Sequence, residues 1–138
     1  MSYDSSNVFA RILRGELPST KVYEDDCTLA FLDIMPSVKG HTLVIPKESA
    51  ETILELSSAG ASALIIATQR IARSVRKALA CDGVMLVQLN GAAAGQSIPH
   101  VHFHVLPREH GLDFNLHGRV KADLRDLEVI AAQIRENM

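Results

Sequence analysis

Little in this sequence ties it to a membrane, a secretory route or a nucleic acid. Its longest apolar run, Ala63 to Ala67, falls far short of the ~20 residues that cross a bilayer, so no membrane span is expected. The first residues, among them Ser2, Tyr3, Asp4, Ser5 and Ser6, offer neither the basic stretch nor the apolar core of a signal peptide. Charge of one sign is missing too: 14 Lys+Arg against 16 Asp+Glu leave a net −2, whereas a generic charge-driven nucleic-acid binder is strongly basic. Only two cysteines occur, Cys27 and Cys81, and they form no ligand-spaced pair. They read as free thiols of a protein in the reducing cytoplasm. No repeat, low-complexity segment or Ser/Gly linker divides the chain.

What is present fits one folded domain over residues 1–138, long enough to bury about two thirds of its unfolded surface. A content of 47% hydrophobic and 22% charged residues is that of a globular protein. Val8, Phe9, Ile12 and Leu13 share a helical face between a capping Asn7 and Gly15, and Pro18 blocks continuation. Lys21 to Glu24 and Thr28 to Asp33 read as hairpin strands, and His41 to Pro46 as a third strand. Ser49 caps an expected short helix through Leu56. A longer helix runs from Ala59 to Ala80, with Leu64, Ile71, Val75 and Leu79 on its inner stripe. Its Arg70, Arg73, Arg76 and Lys77 suit the helix dipole and read as a solvated face rather than a phosphate patch. Gly83 to Leu89 and His100 to Leu106 are the fourth and fifth strands, and Leu124, Leu127, Ala131 and Ile134 outline a C-terminal helix capped by Asp123. Hairpin strands with peripheral helices and no β-α-β alternation argue an α+β fold with an antiparallel sheet.

Three of the six histidines stand at His100, His102 and His104. On a strand, residues two apart face the same way, so the three imidazoles share one face while Val101, Phe103 and Val105 anchor the other. One buried histidine finds partners locally; three in a row call for a ligand or a shared network. Two chemistries fit. A metal is one, although the outer pair is roughly 13 Å apart at ~3.3 Å per residue, so further ligands would come from His41, His110 or His117. The other is phosphoryl or nucleotidyl transfer, with one neutral imidazole attacking phosphorus and its neighbours holding the oxygens. The triad alone leaves the two level.

The preceding residues favour the second. Gly91, Ala92, Ala93, Ala94, Gly95, Gln96, Ser97, Ile98 and Pro99 form a small-residue turn ending in an amide and a hydroxyl. Small residues let backbone N–H groups approach an anion, and Gln and Ser donate without adding charge.

The run Gly95-Gln96-Ser97-Ile98-Pro99-His100-Val101-His102-Phe103-His104-Val105-Leu106-Pro107-Arg108 closely resembles the signature of the histidine triad (HIT) family of nucleotide-binding hydrolases. Gly15 to Pro18, Val22 to Asp26, Leu29 to Ile34 and Gly40 to Lys47 resemble its Hint-like branch, so the likeness weakens only after about Glu109. The resemblance implies a HIT-like fold, a five-stranded antiparallel sheet with peripheral helices, joined to a second sheet across a homodimer. It implies that His102 is the nucleophile, attacking the α-phosphorus of a nucleotide to form a nucleotidyl-histidine that water hydrolyses. His104 and the Gln96 amide, with the Gly95 and Ser97 backbone, are then expected to hold the phosphate, the Ser97 hydroxyl to assist the leaving group, and His100 and His41 to orient His102. Asp33 matches the carboxylate that binds the ribose hydroxyls. Val8, Phe9, Ile12, Phe31 and Ile34 match the apolar pocket of the base, and Asn90 a nucleotide contact. His110 and His117 match no family motif and read as exposed loop histidines.

One departure is informative. Many bacterial relatives bind a structural zinc through two cysteines of the first helix, a histidine after the third strand and a triad histidine; here the corresponding positions hold Asn7, Ala10 and Ser49. No metal and no cofactor are expected. The implied activity is hydrolysis of purine nucleoside phosphoramidates, carrying an adenylate or guanylate. The alternatives are dinucleoside polyphosphate hydrolysis or a non-catalytic nucleotide-binding module, with a zinc hydrolase last.

Overall fold

The computed structural model describes residues 2–111, 113–118 and 120–138. Its elements are α1 (Val8–Leu13), β1 (Lys21–Glu24), β2 (Thr28–Leu32), β3 (Thr42–Pro46), α2 (Ser58–Leu79), β4 (Gly83–Gln88), a single 3₁₀ turn (Ala92–Ala94), β5 (Phe103–Arg108) and α3 (Leu124–Glu136). The five strands form one antiparallel sheet in the order β1-β2-β3-β5-β4. The α+β expectation therefore holds.

The sheet has two differently used faces. Ala30, Leu32, Val44, Val101 and Val105 point toward the long helices and form the main core with Leu64, Ile71 and Val75 of α2 and Leu127, Ala131 and Ile134 of α3. Each fully buried Val, Leu or Ile side chain among these contributes about 1.5–3 kcal/mol. The alternate residues Leu29, Phe31, Leu43 and Ile45 form a smaller cluster on the opposite face with Phe9 of α1. Because α1 is only six residues long, it covers only part of that face and leaves room beside it. The basic residues Arg70, Arg73, Arg76 and Lys77 are all exposed, as a solvated face requires. Cys27 is exposed and Cys81 buried, both unpaired. Among the described residues, no helix is long and apolar enough to cross a membrane.

Two caps act as read, Asn7 and Asp123 accepting backbone N–H bonds from Ala10 and Arg125, and Ser57 caps α2 by accepting from Gly60 N–H. Two expectations fail. Residues 49–56 form turns rather than a helix, because long-range partners claim their backbone. Ala50 O accepts from Val101 N–H, Glu51 O from the Gln96 amide, and Ile53 N–H donates to Asn90 Oδ1. The fifth strand begins at Phe103, not His100. Its ladder with β3 stops at Val44↔Phe103, since the Val101 N–H has turned to Ala50 and the His100 ring takes the Pro46 carbonyl. Two of the three histidines thus sit on an extended lead-in to the strand.

Candidate active site

Strand alternation still puts His100, His102 and His104 on the face opposite Val101 and Val105, and all three are buried. His104 is in register between Leu43 and Val87, while His41 precedes β3 and Asp33 follows β2. The hairpin closing β2 onto β3 thus delivers Asp33 and His41 together, with Asp33 N–H bonded to His41 O.

Hydrogen-bond partners assign the tautomer of each ring. Ser37 N–H donates to His41 Nδ1 at 3.0 Å, so the proton of His41 sits on Nε2 and is donated to His104 Nδ1 at 2.9 Å. His104 consequently carries its own proton on Nε2. His102 donates Nδ1–H to the His100 carbonyl at 2.7 Å, which leaves Nε2 as a bare lone pair. His100 donates Nε2–H to Pro46 O at 2.8 Å and accepts at Nδ1 from the Tyr3 hydroxyl at 2.5 Å. Among the described residues, no buried side-chain nitrogen or oxygen lacks a partner. The free Nε2 atoms of His102 and His104 therefore open outward. Their rings lie edge to face, centroids 4.9 Å apart, and Phe9 packs edge-on against His102 at 4.9 Å.

Burial holds these rings neutral. It pushes His41 down to about 4 and His104 to about 3, and lowers His100 and His102 from the ordinary histidine value. The site presents a neutral lone pair, on His102, next to an N–H donor, on His104: one group to attack an electrophile and one to hold an oxygen bound to it.

Asp33 is half-buried, and burial raises its carboxyl. Oδ1 closes a turn by accepting Met35 N–H at 2.9 Å, and Oδ2 lies 3.6 Å from His41 Nε2. Asp33 also lines a cleft of about 420 Å³ with Val8, Phe9, Ile12, Phe31 and Ile34. Every residue expected to cradle a base thus meets in one cavity. Phe9 and Phe31 are buried, whereas Val8 and Ile34 stand 42% and 45% exposed, apolar surface that core packing does not explain. Lys121, Leu124 and Glu128, from the C-terminal segment, add to its wall; Leu124 lies on the apolar stripe of that helix, whereas nothing in its periodicity marks Lys121 or Glu128.

The glycine turn behaves differently from expectation. Gly91 and Gly95 have φ of 92° and 100°, which only glycine adopts readily, but the Gly95 N–H closes the 3₁₀ turn on Ala92 O. The Gln96 amide is engaged inside the protein, accepting Gly91 N–H and donating to Glu51 O and Ile98 O. Asn90 exchanges hydrogen bonds with Gln88 and accepts Ile53 N–H. The Gly95 N–H and the Gln96 amide therefore shape the loop and are not offered to a phosphate, and the Asn90 oxygen is held within the same framework. Ser97 is exposed, and its hydroxyl has no partner among the described residues.

Two metal readings meet the same geometry. Asp33, His41 and His104 bring three ligand atoms within 4.8 Å of one another. A metal-binding histidine, however, turns its second nitrogen as an N–H toward an acceptor, and His41 Nδ1 faces the Ser37 N–H donor. The zinc position of bacterial relatives fits no better: Asn7 caps α1 and donates to Tyr3 Oη at 2.8 Å, and that hydroxyl fixes His100. Hydrogen bonds hold the triad's first ring.

His117, read as an exposed loop residue, is exposed but not remote. Its ring stands edge-on to His104 with centroids 6.5 Å apart. Gly118 places it there: a Cβ at that position would meet the Met35 and Pro36 carbonyl oxygens at 2.3 Å. His110 stays at the surface, its N–H on Asp82.

The family model described as the HIT domain matches residues 14–111. An uncharacterized HIT-like protein of Borreliella burgdorferi is 36% identical over 135 residues, covering 95% of this chain and 97% of that one. The adenosine 5'-monophosphoramidase of Schizosaccharomyces pombe is 40% identical over 110 residues, 78% of this chain and 80% of its own. Among solved structures, a Hit-like protein from Bartonella henselae superposes with a TM-score of 0.93 at 41% identity, covering 100% of both chains.

Proposed function

The chain belongs to the HIT domain family, and we propose that it hydrolyses purine nucleoside 5'-phosphoramidates through a nucleotidyl-histidine formed on His102. The observation that carries this reading is the tautomer chain, which leaves a bare lone pair on His102 Nε2 beside the His104 N–H donor. A neutral imidazole is the form that attacks phosphorus. The His100 carbonyl on the other side of the ring receives Nδ1–H more strongly as the ring becomes positive. His104 Nε2–H meets a non-bridging oxygen, and the Ser37–His41–His104 chain keeps that proton in place. Asp33 lines the same cleft and offers a carboxylate there to accept ribose hydroxyls, and the Val8, Phe9, Ile12, Phe31 and Ile34 wall takes a flat base without reading its edge. The named activity of the fission-yeast relative supports an amine leaving group.

The test is AMP release from adenosine 5'-phosphoramidate by the wild type and by His102→Ala, with diadenosine tetraphosphate in parallel. The expected result is phosphoramidate cleavage lost by several orders of magnitude in the variant, with AMP affinity retained. Cleavage of the dinucleotide alone would instead make the protein a dinucleoside polyphosphate hydrolase. Nucleotide binding without turnover of either would make it a binding module.

The same reading includes a homodimer. β4 is an open sheet edge, and Leu86 on it and Ile65 and Ile66 on α2 are exposed apolar residues on the α2 side of the sheet. Light scattering at micromolar concentration should give about twice the chain's 15.0 kDa; a monomer mass overturns this part.

A further inference from the structure

On the side of His104 away from the base cleft lies a second, open cleft of about 600 Å³ along β4. It is lined by Met85, Val87 and Leu89, by Ala94 and Gly95 of the turn, and by Phe114, Asn115, Leu116 and His117. Val87 is the cross-strand neighbour of His104, so the cleft begins where the phosphate would sit. For a nucleotide with its base in the first cleft and its phosphorus at His102, this second cleft is the space on the far side of His104 open to the remaining phosphorus substituent. Apart from the exposed Ser97 hydroxyl, a far weaker acid than an imidazolium, the groups of the site hold no free proton for that substituent. His102 Nδ1–H and His100 Nε2–H are committed to carbonyls, and His41 Nε2–H to His104. His104 Nε2–H is needed by the oxygens.

We propose that His117 is the acid that protonates the leaving group, and that this cleft, with its Phe114 and Leu116 wall, receives it as an amine bearing an apolar substituent. The proposal rests on the nucleotidyl-histidine reading above. In the first step the His102 Nε2 lone pair bonds to phosphorus. The P–N bond breaks with its electron pair on nitrogen, the His117 N–H proton passes to that nitrogen, and a neutral amine departs. In the second step a water oxygen bonds to phosphorus, its proton returns to His117, and the His102 N–P bond breaks with its pair on His102. An exposed imidazole can exchange that proton with solvent between turnovers, which the four buried rings cannot do freely. His104 is in ring contact with His117, and Asp33, His41 and His102 lie close enough to feel its charge. The lining residues of β4 and of the turn bring no titratable side chain to it.

The experiment compares two adenylates on the full-length protein. One is an N-alkyl adenosine 5'-phosphoramidate, whose amine must be protonated to leave. The other is the p-nitrophenyl ester of AMP, whose phenolate leaves as an anion. His117→Gln should lower kcat/KM for the amine substrate by about 10²–10⁴-fold, remove the alkaline limb of its pH profile, and slow the nitrophenyl ester only a few-fold. Equal losses on both substrates, or no loss on the amine, overturn the proposal. A wild type inactive on both esters and amides overturns the parent reading instead.

Discussion

His102 has one nitrogen fixed and one free, and that asymmetry is the chemical content of the triad. The residue types were legible: three histidines two apart, a carboxylate after the second strand and a fourth histidine before the third. Which nitrogen carries each proton was not, because Pro46 O and Tyr3 Oη reach His100, and His41 reaches His104, from segments far apart in the chain. Asn90 is a different case, a residue whose family likeness suggests ligand contact and whose hydrogen bonds run within the protein. It ties Gln88, at the end of β4, to Ile53 in the turn that holds Val101. Asn90→Ala leaves the Ile53 N–H without its acceptor, at a cost of about 1–3 kcal/mol. A lower urea midpoint with AMP affinity changed less than about twofold is expected from equilibrium unfolding and calorimetric titration. A large loss of affinity at unchanged stability would restore the nucleotide-contact role.

At the scale of elements, periodicity located what is held by its own pattern. α2 buries Leu64, Ile71 and Val75 as its spacing requires, and α3 buries Leu127, Ala131 and Ile134. Leu124, on the same stripe of α3, is instead 59% exposed and lines the base cleft, a reminder that one apolar stripe can serve both core and ligand. The failures share a cause. Residues 49–56 and the start of β5 exchange hydrogen bonds with each other, so neither follows its local propensity. A helix at 49–56 would withdraw the Ala50 and Glu51 carbonyls from Val101 and Gln96, and a strand from His100 would withdraw Val101 from Ala50. The C-terminal crossing had no signal short of the fold. Gly118 looks like an ordinary loop glycine until the Met35 and Pro36 carbonyls are seen against it.

For the whole molecule, packing four neutral histidines under one face of the sheet makes stability depend on pH in a direction that can be worked out. Unfolded, each ring takes up a proton near pH 6.5, the ordinary value; folded, burial delays protonation to about 4 at His41 and about 3 at His104, and lowers His100 and His102 as well. Between those limits the unfolded chain binds more protons, so stability is fully present above pH 6.5 and falls as pH drops, by about 1 kcal/mol per pH unit for each such ring. Asp33 opposes this, since its raised carboxyl takes up a proton earlier in the folded state, but it is one group against four. Urea midpoints should be level between pH 8 and about 7 and decline steadily toward pH 5. A midpoint unchanged from pH 7 to 5 would mean that the rings are not held neutral. Because the folded nucleophile resists protonation while the unfolded chain gains protons, acid should remove activity mainly by unfolding the protein. The fraction still folded just below pH 6.5 should therefore keep its ability to form the nucleotidyl-histidine, measurable as a burst of leaving group whose amplitude tracks the folded fraction.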